Sequence, residues 1–382
     1  MPKRIMFQYW GRRGALQQFT LEVARAALAD PDIAPTITVS RQSELFGAFA
    51  TLGPCVIAFD TFSGALGALG SSWRIPVVRR RLYNLLAERG IEAVIDLMPH
   101  VWSPFMVSAI HRAEALYIPI VHDAAAHPGD PTGWANPLIA RTVAKADLVI
   151  TLSEAVARQL LAARRIPRAK LRTLFLPDLS YQQMPTKLQA QKGEAKRLLF
   201  LGRLMKYKGL SMFLDAVELL RKENIAVSVG VFGEGNIDDS LPRLRELGAE
   251  VVNRWLSSEE IADALGRFGV VVLPYLEASQ SAVAATAFGA GLPVVATPVG
   301  GLVEQVIDGH NGVLADSCSA TDFALAIRRL LLDATLYQRL CSNIATDREN
   351  RSMHRFVTCC ANIISEAQQA EPLNQIGPHR GA

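Results

Sequence analysis

The sequence has few cysteines and no strong excess of charge of either sign. Its 382 residues include 5 cysteines, at positions 55, 318, 341, 359 and 360, with no CxxC or other metal-ligand spacing. An odd and unevenly spread set argues against a disulfide framework and indicates a reducing compartment. The net charge of +4, from 40 Lys and Arg against 36 Asp and Glu, is too small to indicate a nucleic-acid partner.

Long uninterrupted apolar runs are also missing. The run IMFQYW stops at Gly11, Arg12 and Arg13, far short of a signal-peptide core, and no window of transmembrane length is free of charges. The sequence therefore predicts a cytoplasmic protein, either free or bound to a membrane surface. Apolar residues nevertheless make up half of the chain, which is enough for two domains of ordinary size.

Short β-rich runs alternate with helical patterns in two successive stretches. The first stretch, 1–180, has such runs at 4–10, 36–40, 55–59, 93–97, 117–122, 147–152 and 171–176. A polar segment, 181–196, is predicted to be a linker, after which the pattern restarts in 197–368 and ends in a flexible tail, 369–382. The alternation predicts an α/β fold of two Rossmann-like, doubly wound domains that face a cleft. The last helices of the second domain are candidates for packing back on the first.

One segment of the second domain has the pattern of an anion site. In FLGRLMKYKG, residues 200–209, an apolar run ends at Gly202, and Arg203 and Lys208 follow just before a helical pattern begins. A strand, a glycine, cations and a helix in this order bind anions at the carboxyl end of a parallel strand. Arg and Lys could hold a diphosphate together, the Arg through paired donors and the Lys as a point charge. Alternatively, both side chains lie on the solvated surface of the helix that follows.

Two further strand ends in this domain carry small or polar residues. Gly233 follows the run AVSVGVF and permits a tight turn or the close approach of a ligand. The segment PYLEASQSAVAATAFGAG, from Pro274 to Gly291, places polar residues before a helix of small side chains. The free amides at the start of that helix would attract a second negative group.

These motifs together resemble a known family. GRLMKYKG, VFGEG, NRWLSSEEI, VVLPYLEASQSAV and GLPVVATPVGGLVEQVIDGHNGVL resemble the second domain of a GT-B retaining glycosyltransferase of the group 1 or family 4 type. The resemblance extends over about residues 197–335, and more weakly over the first domain through GRRGALQQFTLEVARA and VHDAAAHPGD. It implies a metal-independent enzyme that moves a sugar from a nucleotide-diphosphate donor to a glycan, lipid-linked or small-molecule acceptor. It implies no cofactor beyond that nucleotide-sugar substrate.

The resemblance also implies roles for individual residues. The catalytic set would be His122, Arg203, Lys208 and Glu277. The donor-binding set would be Gly14, Gly202, Gly233, Ser279, Gln280, Ser281, Ala282, Val283 and Thr286. Fixed cations and helix amides aimed at the leaving diphosphate would stabilise the charge that develops in the transition state.

The sequence departs from the family at a pair of glutamates. The family typically carries two, with seven residues between them, one facing the donor sugar and the other the ribose. Eight residues after Glu277 stands Ala285, and counting back from Gly291 places the two positions at Ala278 and Thr286. The pair is absent or out of register. A lost charged hydrogen bond would weaken nucleotide binding by roughly 1.5–3 kcal/mol.

Signals in the first domain are weaker. Gly14 lies between the first strand and a helix, like the family's glycine loop, although such turns are common. By resemblance His122 would reach the reacting centre, and His100, Trp102 and Asp123 would lie on the acceptor side. Each of these residues also has an ordinary structural interpretation.

The run SSWRIPVVRRRLYNLL, residues 71–86, combines apolar side chains with a cluster of arginines. A basic amphipathic helix of this kind can hold a protein on anionic lipid, so that residues 73–86 are a candidate peripheral membrane contact. A solvated helix with its apolar side in the core explains the same residues. Exposure of Trp73 distinguishes the two interpretations.

Two other functions are alternatives to sugar transfer. A non-catalytic partner could keep the fold and nucleotide binding while supporting an active transferase, and the missing glutamate pair favours it. A glycoside hydrolase would need two carboxylates flanking the bond, and the motifs offer no such pair. The nucleotide base, the sugar, the acceptor and the oligomeric state are not specified by these motifs.

Overall fold

The computed structural model describes residues 1–62, 67, 70–125, 136–181 and 196–369. Most of the predicted linker and of the predicted tail lies outside these ranges, as does the second half of VHDAAAHPGD.

The described strands form two sheets. The strands of the first sheet are β1 (Lys3–Tyr9), β2 (Ile33–Ser40), β3 (Val56–Phe59), β4 (Ala93–Met98), β5 (Leu116–Val121), β6 (Val149–Thr151) and β7 (Leu171–Thr173). Those of the second are β8 (Arg197–Leu201), β9 (Ser228–Phe232), β10 (Glu250–Val252), β11 (Val270–Leu273), β12 (Val294–Ala296) and β13 (Gly312–Leu314).

Helices follow most of these strands. In the first half of the chain they are α1 (Ala15–Ala29), α2 (Phe46–Ala50), α3 (Ile75–Arg89), α4 (Ser103–Arg112), α5 (Asn136–Ala144) and α6 (Glu154–Ala162). In the second half they are α7 (Leu210–Lys222), α8 (Leu241–Glu246), α9 (Ser258–Arg267), α10 (Ala282–Gly289), α11 (Leu302–Gln305), α12 (Ala320–Leu332), α13 (Ala334–Thr346) and α14 (Met353–Gln369). Side-chain caps fix several starts: Ser153 accepts from the Val156 amide before α6, and Ser257 forms a capping box with Glu260 before α9.

Both sheets have the doubly wound strand order. The first runs β3-β2-β1-β4-β5-β6-β7 and the second β10-β9-β8-β11-β12-β13. All five pairings of the second sheet are parallel, and so are those of β1 with β2 and β4, β2 with β3, and β4 with β5. Each order reverses beside its first strand, at β1/β4 and at β8/β11. A crevice opens at such a switch point, outside the carboxyl ends of the strands, and ligands bind there. The predicted fold class of two Rossmann-like domains is confirmed.

The second sheet is buried on both faces because its strands are apolar at successive positions. In β8, Leu198 and Phe200 join one apolar cluster, while Leu199 and Leu201 join the cluster on the opposite face. Side chains alternate across a strand, so an uninterrupted apolar run supplies both cores.

The chain divides into two compact units. The first comprises Met1–Ile120, Arg141–Ile150 and the segment from His354 onward, and the second comprises Val121–Ala140 and Thr151–Met353. Within the first unit, α14 lies near the start of β1, where the Lys3 ammonium donates to the Ser365 hydroxyl. Within the ranges that the structure describes, no helix has the length and apolarity needed to cross a membrane.

Candidate active site

The switch point of the second sheet brings two of the predicted motifs together. β8 and β11 pair in parallel, with Val271 opposite Leu199. Their carboxyl ends therefore open at the same edge, where Gly202 and Arg203 follow β8 and Pro274 follows β11. Arg203 is exposed at this edge, and a 3-10 turn places Lys208 five residues further along the chain.

Lys208 lies over two tyrosine rings. Its ammonium is 3.6 Å from the ring centre of Tyr275 and 5.2 Å from that of Tyr207. The Tyr275 ring is buried, and its hydroxyl lies 3.4 Å from the Ser281 hydroxyl, so one tyrosine links the lysine to the start of α10. In the described part of the chain, no carboxylate forms a salt bridge with this ammonium.

Burial lowers the pKa of Lys208 to about 8, against a usual 10.5. Tyr207 and the carboxylate of Asp123 raise the pKa of Lys208 electrostatically, while the Arg203 guanidinium lowers it further. Aromatic faces attract the cation but do not neutralise it. A partly desolvated ammonium next to a guanidinium is therefore a strong site for an anion.

The start of α10 adds amide donors to these cations. The Ser281 hydroxyl accepts from the Ala284 amide at 3.2 Å, which caps the helix. Gln305 holds the backbone of the cap residue through both ends of its side-chain amide: its Oε1 accepts from the Ser281 nitrogen at 2.6 Å, and its Nε2 donates to the Ser281 oxygen at 3.2 Å. The amides of Ala282 and Val283 have no acceptor among the described residues. These two N–H groups can donate to a phosphate.

Glu304, the residue before Gln305, has a different role. The Glu304 carboxylate accepts from the amides of Glu154 and Ala155, at 2.6 and 2.7 Å, and so caps the start of α6. In the same region the Ser153 hydroxyl donates to the Ser279 carbonyl at 2.8 Å. Glu304 is thus committed to a helix terminus of the protein itself.

Gln305→Leu is expected to weaken binding of a nucleotide diphosphate about tenfold, because Ser281 at the start of α10 loses both of its hydrogen bonds to Gln305. Glu304→Gln is the matched control, since it changes a neighbouring group that caps α6 instead. It should lower the melting temperature and leave the nucleotide affinity within about twofold of the wild type. Titration calorimetry measures the affinities. Equal losses in the two variants would contradict a specific role for Gln305.

Two predicted glycines serve the packing of the loops at this edge. A Cβ on Gly233 would lie 1.9 Å from the Gly202 carbonyl oxygen, and one on Gly202 would lie 3.2 Å from Cγ2 of Val283. Both have positive φ, 148° and 109°. The loops after β8 and β9 and the first turn of α10 therefore meet with no room for side chains at these positions.

The segment after β5 brings His122 to the same region of the second unit. Nδ1 of His122 lies 3.4 Å from Nε2 of Gln280, and Oε1 of Gln280 is buried with no partner among the described residues. Asp123 is exposed and within electrostatic reach of Lys208. The charge of Asp123 therefore lies near the predicted diphosphate site, and its acceptor-side role stays a prediction.

The remaining predicted residues after β11 are wholly or partly buried. Ser279 is buried, and the Thr286 hydroxyl donates to the Ala282 carbonyl at 2.8 Å within its own helix. Ala285 is buried, while Glu277 is partly buried on the loop. Neither Ala285 nor Thr286, both on α10, can supply a carboxylate.

The predicted residues of the first unit lie beside its own switch point. Gly14 precedes α1 with φ 102°, and a Cβ there would have nothing within 4 Å. His100 follows β4 and packs against Trp10, Phe62 and Trp102, and burial lowers its pKa to about 3, so the ring is neutral. Trp102 is only 3% exposed. An acceptor role for His100 and Trp102 stays a prediction.

Sequence reasoning missed Tyr275 and Gln305. Tyr275 directly follows Pro274 at the end of a buried strand, and Gln305 directly follows Glu304, but neither residue type signals binding. Tyr275 contacts Lys208, and Gln305 bonds to Ser281. Both partners are distant in sequence, so that only the fold brings each pair together.

Two family descriptions match the chain. "Glycosyl transferases group 1" matches residues 195–333, and "Glycosyltransferase Family 4" matches residues 27–175. The two matches together cover most of the chain, one in each half.

Curated relatives match over part of their length. A D-inositol 3-phosphate glycosyltransferase of Corynebacterium aurimucosum is 36% identical over 148 residues, which is 36% of this chain and 35% of that protein. A glycogen synthase of Mycobacterium tuberculosis is 27% identical over 246 residues, 61% of this chain and 56% of that protein. The chain thus spans between about a third and somewhat more than half of the length of these relatives.

Solved structures match over nearly the whole chain. A glycosyltransferase from Rickettsia africae has a TM-score of 0.72 at 15% identity and covers 97% of this chain and 99% of its own. Anabaena HepE, solved in complex with UDP and glucose, has a TM-score of 0.71 at 16% identity, with 95% and 100% covered. At these identities the likeness concerns the fold. The strand orders and these neighbours establish the GT-B fold, and the two family matches, one in each half of the chain, place it among the group 1, family 4 glycosyltransferases.

Proposed function

We propose that this protein is a glycosyltransferase that takes a sugar from a nucleotide-diphosphate donor and transfers it, with retention of configuration, to an acceptor hydroxyl. The observation that carries the proposal is the position of Lys208, partly buried over Tyr275 beside Arg203 and linked through that tyrosine to the start of α10. Two cations and two free amides converge at the switch point of the second sheet. This set matches the charge of a diphosphate.

The proposed role of these groups follows from the charge that develops on the leaving diphosphate in the transition state. When the bond between the anomeric carbon and the diphosphate oxygen breaks, negative charge accumulates on the leaving group. Lys208 and the amides of Ala282 and Val283 are held by the fold, with Arg203 beside Lys208, so these groups would stabilise that charge with little reorganisation. Metal independence is part of the proposal, because these groups supply the positive charge themselves. Transfer that persists in EDTA would support it, and loss of transfer restored by a divalent cation would contradict it.

His122 is proposed to lie beside the donor sugar. Its Nδ1 faces Gln280, and when the Gln280 amide donates to it the ring proton is on Nε2. That N–H could then donate to a sugar hydroxyl. Gly14 and the residues that follow β4 are proposed to bind the acceptor. The proposed domain division is a first domain of residues 1–180, a linker at 181–196 and a donor-binding domain of 197–368.

The relatives suggest which substrates to try first. HepE has been solved with UDP and with UDP-glucose, which makes uridine nucleotides the first donors to test. The names of the curated relatives suggest two acceptor classes, a polyol phosphate and a glycan chain. A cytoplasmic location, where nucleotide sugars are made, is part of the same proposal.

Retention can be tested without knowing the acceptor. Incubation with UDP-, GDP- and ADP-sugars is expected to give slow hydrolysis of one donor, with water replacing the acceptor. Proton NMR recorded before the free sugar mutarotates shows which anomer is released first. The anomer of the donor is the expected product, and the opposite anomer would contradict retention.

Donor affinity is expected to fall as the pH rises through the pKa of Lys208, about 8 in the free protein. Deprotonation removes a cation that the diphosphate needs, so affinity should be about tenfold weaker at pH 9 than at pH 7. A Lys208→Arg variant that binds should give a flat profile, because a guanidinium stays charged. Lys206→Gln, which removes an exposed lysine two residues away, should leave the midpoint unchanged. A flat wild-type profile from pH 7 to pH 9 would contradict the assignment.

A second candidate function is nucleotide binding without transfer, in support of an active enzyme. The observation that favours it is the middle of α10, where Ala285 is buried and the Thr286 hydroxyl is bonded to its own helix. Neither residue replaces the carboxylate that typical members place against the ribose. Donor binding with neither transfer nor hydrolysis would favour this function over the first.

A further inference from the structure

α3 and the 3-10 turn before it, Ser72–Arg74, carry an exposed face that the donor site does not use. Val78, Leu82 and Leu86 are buried and hold the helix against the first unit. On another side, Trp73 is 68% exposed and Val77, one turn further on, is 63% exposed. The interpretation of this segment as a fully solvated helix with its apolar side in the core therefore leaves two large apolar side chains unexplained.

Cations surround these two side chains. Residues 71–90 contain five arginines, at 74, 79, 80, 81 and 89, and one acidic residue, Glu88. The Arg74 guanidinium lies 5.3 Å from the ring centre of Trp73. Arg79 and Arg80 are exposed, and neither forms a hydrogen bond or ion pair within the described ranges. Positive charge on this face is thus left available.

A cavity of about 510 Å³ lies on the same face, between α3 and the edge strand β3. Its lining includes Ile57 and Val77 and three arginines, Arg80, Arg81 and Arg89, with Glu88 as the only acidic group among the lining residues. Two of the arginines are held in place. Arg89 donates to the Thr36 hydroxyl and the Pro54 carbonyl, each at 3.1 Å, and the Arg81 guanidinium stacks 4.7 Å from the Phe59 ring centre.

We infer that this face binds the surface of an anionic lipid bilayer, with Trp73 and Val77 inserted at the headgroup level and the arginine-lined cavity holding a lipid phosphate. The apolar pair selects a bilayer over a soluble phosphate, because a free anion gains nothing from an exposed indole beside its site. Tryptophan favours the membrane–water interface, and arginines near it are attracted to anionic headgroups. The inference concerns the first unit and does not depend on the donor site.

The test is cosedimentation of the full chain with vesicles. One set contains phosphatidylglycerol and phosphatidylcholine in equal amounts, and the other contains phosphatidylcholine alone. The protein should sediment with the anionic set, and the bound fraction should fall as sodium chloride is added, because salt screens the attraction. Absence of binding, or equal binding to both sets, would overturn the inference.

Three variants locate the contact. Arg79→Gln/Arg80→Gln/Arg81→Gln should weaken binding to the anionic vesicles about 100-fold. Trp73→Ala should weaken it about tenfold and remove most of the binding that persists at high salt. The matched control, Arg112→Gln/Lys222→Gln/Arg245→Gln, removes the same charge from exposed positions on α4, α7 and α8. Equal losses in the two triple variants would overturn the inference, since net charge alone would then explain the binding.

Two other occupants give distinct results. If inorganic phosphate releases the protein from vesicles at an ionic strength at which sodium chloride does not, the cavity is a site for a small anion and the bilayer inference fails. If the wild type dimerises without vesicles and Trp73→Ala does not, the face binds a second copy and the inference also fails. Unchanged melting temperatures verify that the variants are folded, as expected for exposed positions.

Discussion

Lys208→Met is expected to lower kcat/KM for the donor about 10²- to 10³-fold, which is the usual loss when one fixed group is removed from a developing oxyanion. The ammonium lies over the Tyr275 ring beside Arg203, where the leaving diphosphate gains charge. Methionine has a similar length and no charge, so it fills the same space without binding a phosphate. Initial rates with the preferred nucleotide sugar measure the effect.

The same variant is expected to be more stable than the wild type in the absence of nucleotide. The pKa of Lys208 falls from 10.5 to about 8 on folding, so the folded state disfavours the charged lysine. Removing that charge should raise the free energy of unfolding at pH 7 by roughly 1–3 kcal/mol.

The stability difference between Lys208→Met and the wild type is expected to depend on pH. A lysine whose pKa is lowered by folding destabilises the protein while it is charged, and this penalty is relieved as the pH rises from about 8 towards 10.5. The stability advantage of Lys208→Met over the wild type should therefore shrink in that range. Lys206→Met, at an exposed neighbouring position, is the control and should change neither rate nor stability appreciably. A destabilised Lys208→Met protein would show that the lysine packs favourably even without an anion.

Gly209→Ala is expected to destabilise the protein by about 4 kcal/mol and to abolish donor binding. Gly209 separates Lys208 from α7 with φ 73°, and a Cβ there would lie 1.8 Å from the Pro274 carbonyl oxygen. That contact is between backbone segments that carry Lys208 and Tyr275, so relieving it must move one of them. Chemical denaturation and nucleotide titration measure the two effects.

Gly248→Ala is the control that separates the backbone strain of a positive φ from the steric clash expected in Gly209→Ala. Gly248 has a similar φ, 64°, but a Cβ there would have nothing within 4 Å. It should cost only the conformational penalty of a left-handed alanine, about 1 kcal/mol, and leave nucleotide affinity unchanged. Similar losses for the two substitutions would contradict the close approach of the Gly209 and Pro274 backbones.

Much of the fold follows from the sequence because parallel strands buried on two faces are continuous apolar runs. Each of the seven β-rich runs of the first half corresponds to a strand, from β1 to β7, and the runs before Arg203 and Pro274 are β8 and β11. The short strand β13, Gly312–Leu314, has no such run and gave no separate signal. The strand orders and the positions of the two switch points came from the structure, since an alternation of strands and helices does not by itself fix the order of the strands.

The site was less accessible to sequence reasoning. Glycine, arginine and lysine after a strand indicate an anion site because their chemistry and spacing are local. The contact of Tyr275 with Lys208 and the hold of Gln305 on Ser281 join residues from separate strand ends. Likewise, the exposure of Trp73 depends on which side of α3 meets the rest of the first unit, and an amphipathic pattern alone leaves that open.

The most direct measurement is titration calorimetry of the wild type and of Arg203→Met/Lys208→Met with UDP, GDP and ADP. We expect one nucleotide to bind the wild type, with an affinity that the double variant loses by at least about 100-fold while it remains folded, because both cations of the diphosphate site are gone. Binding of equal strength to both proteins would contradict the account, since the nucleotide would then be held without the two side chains that define the site.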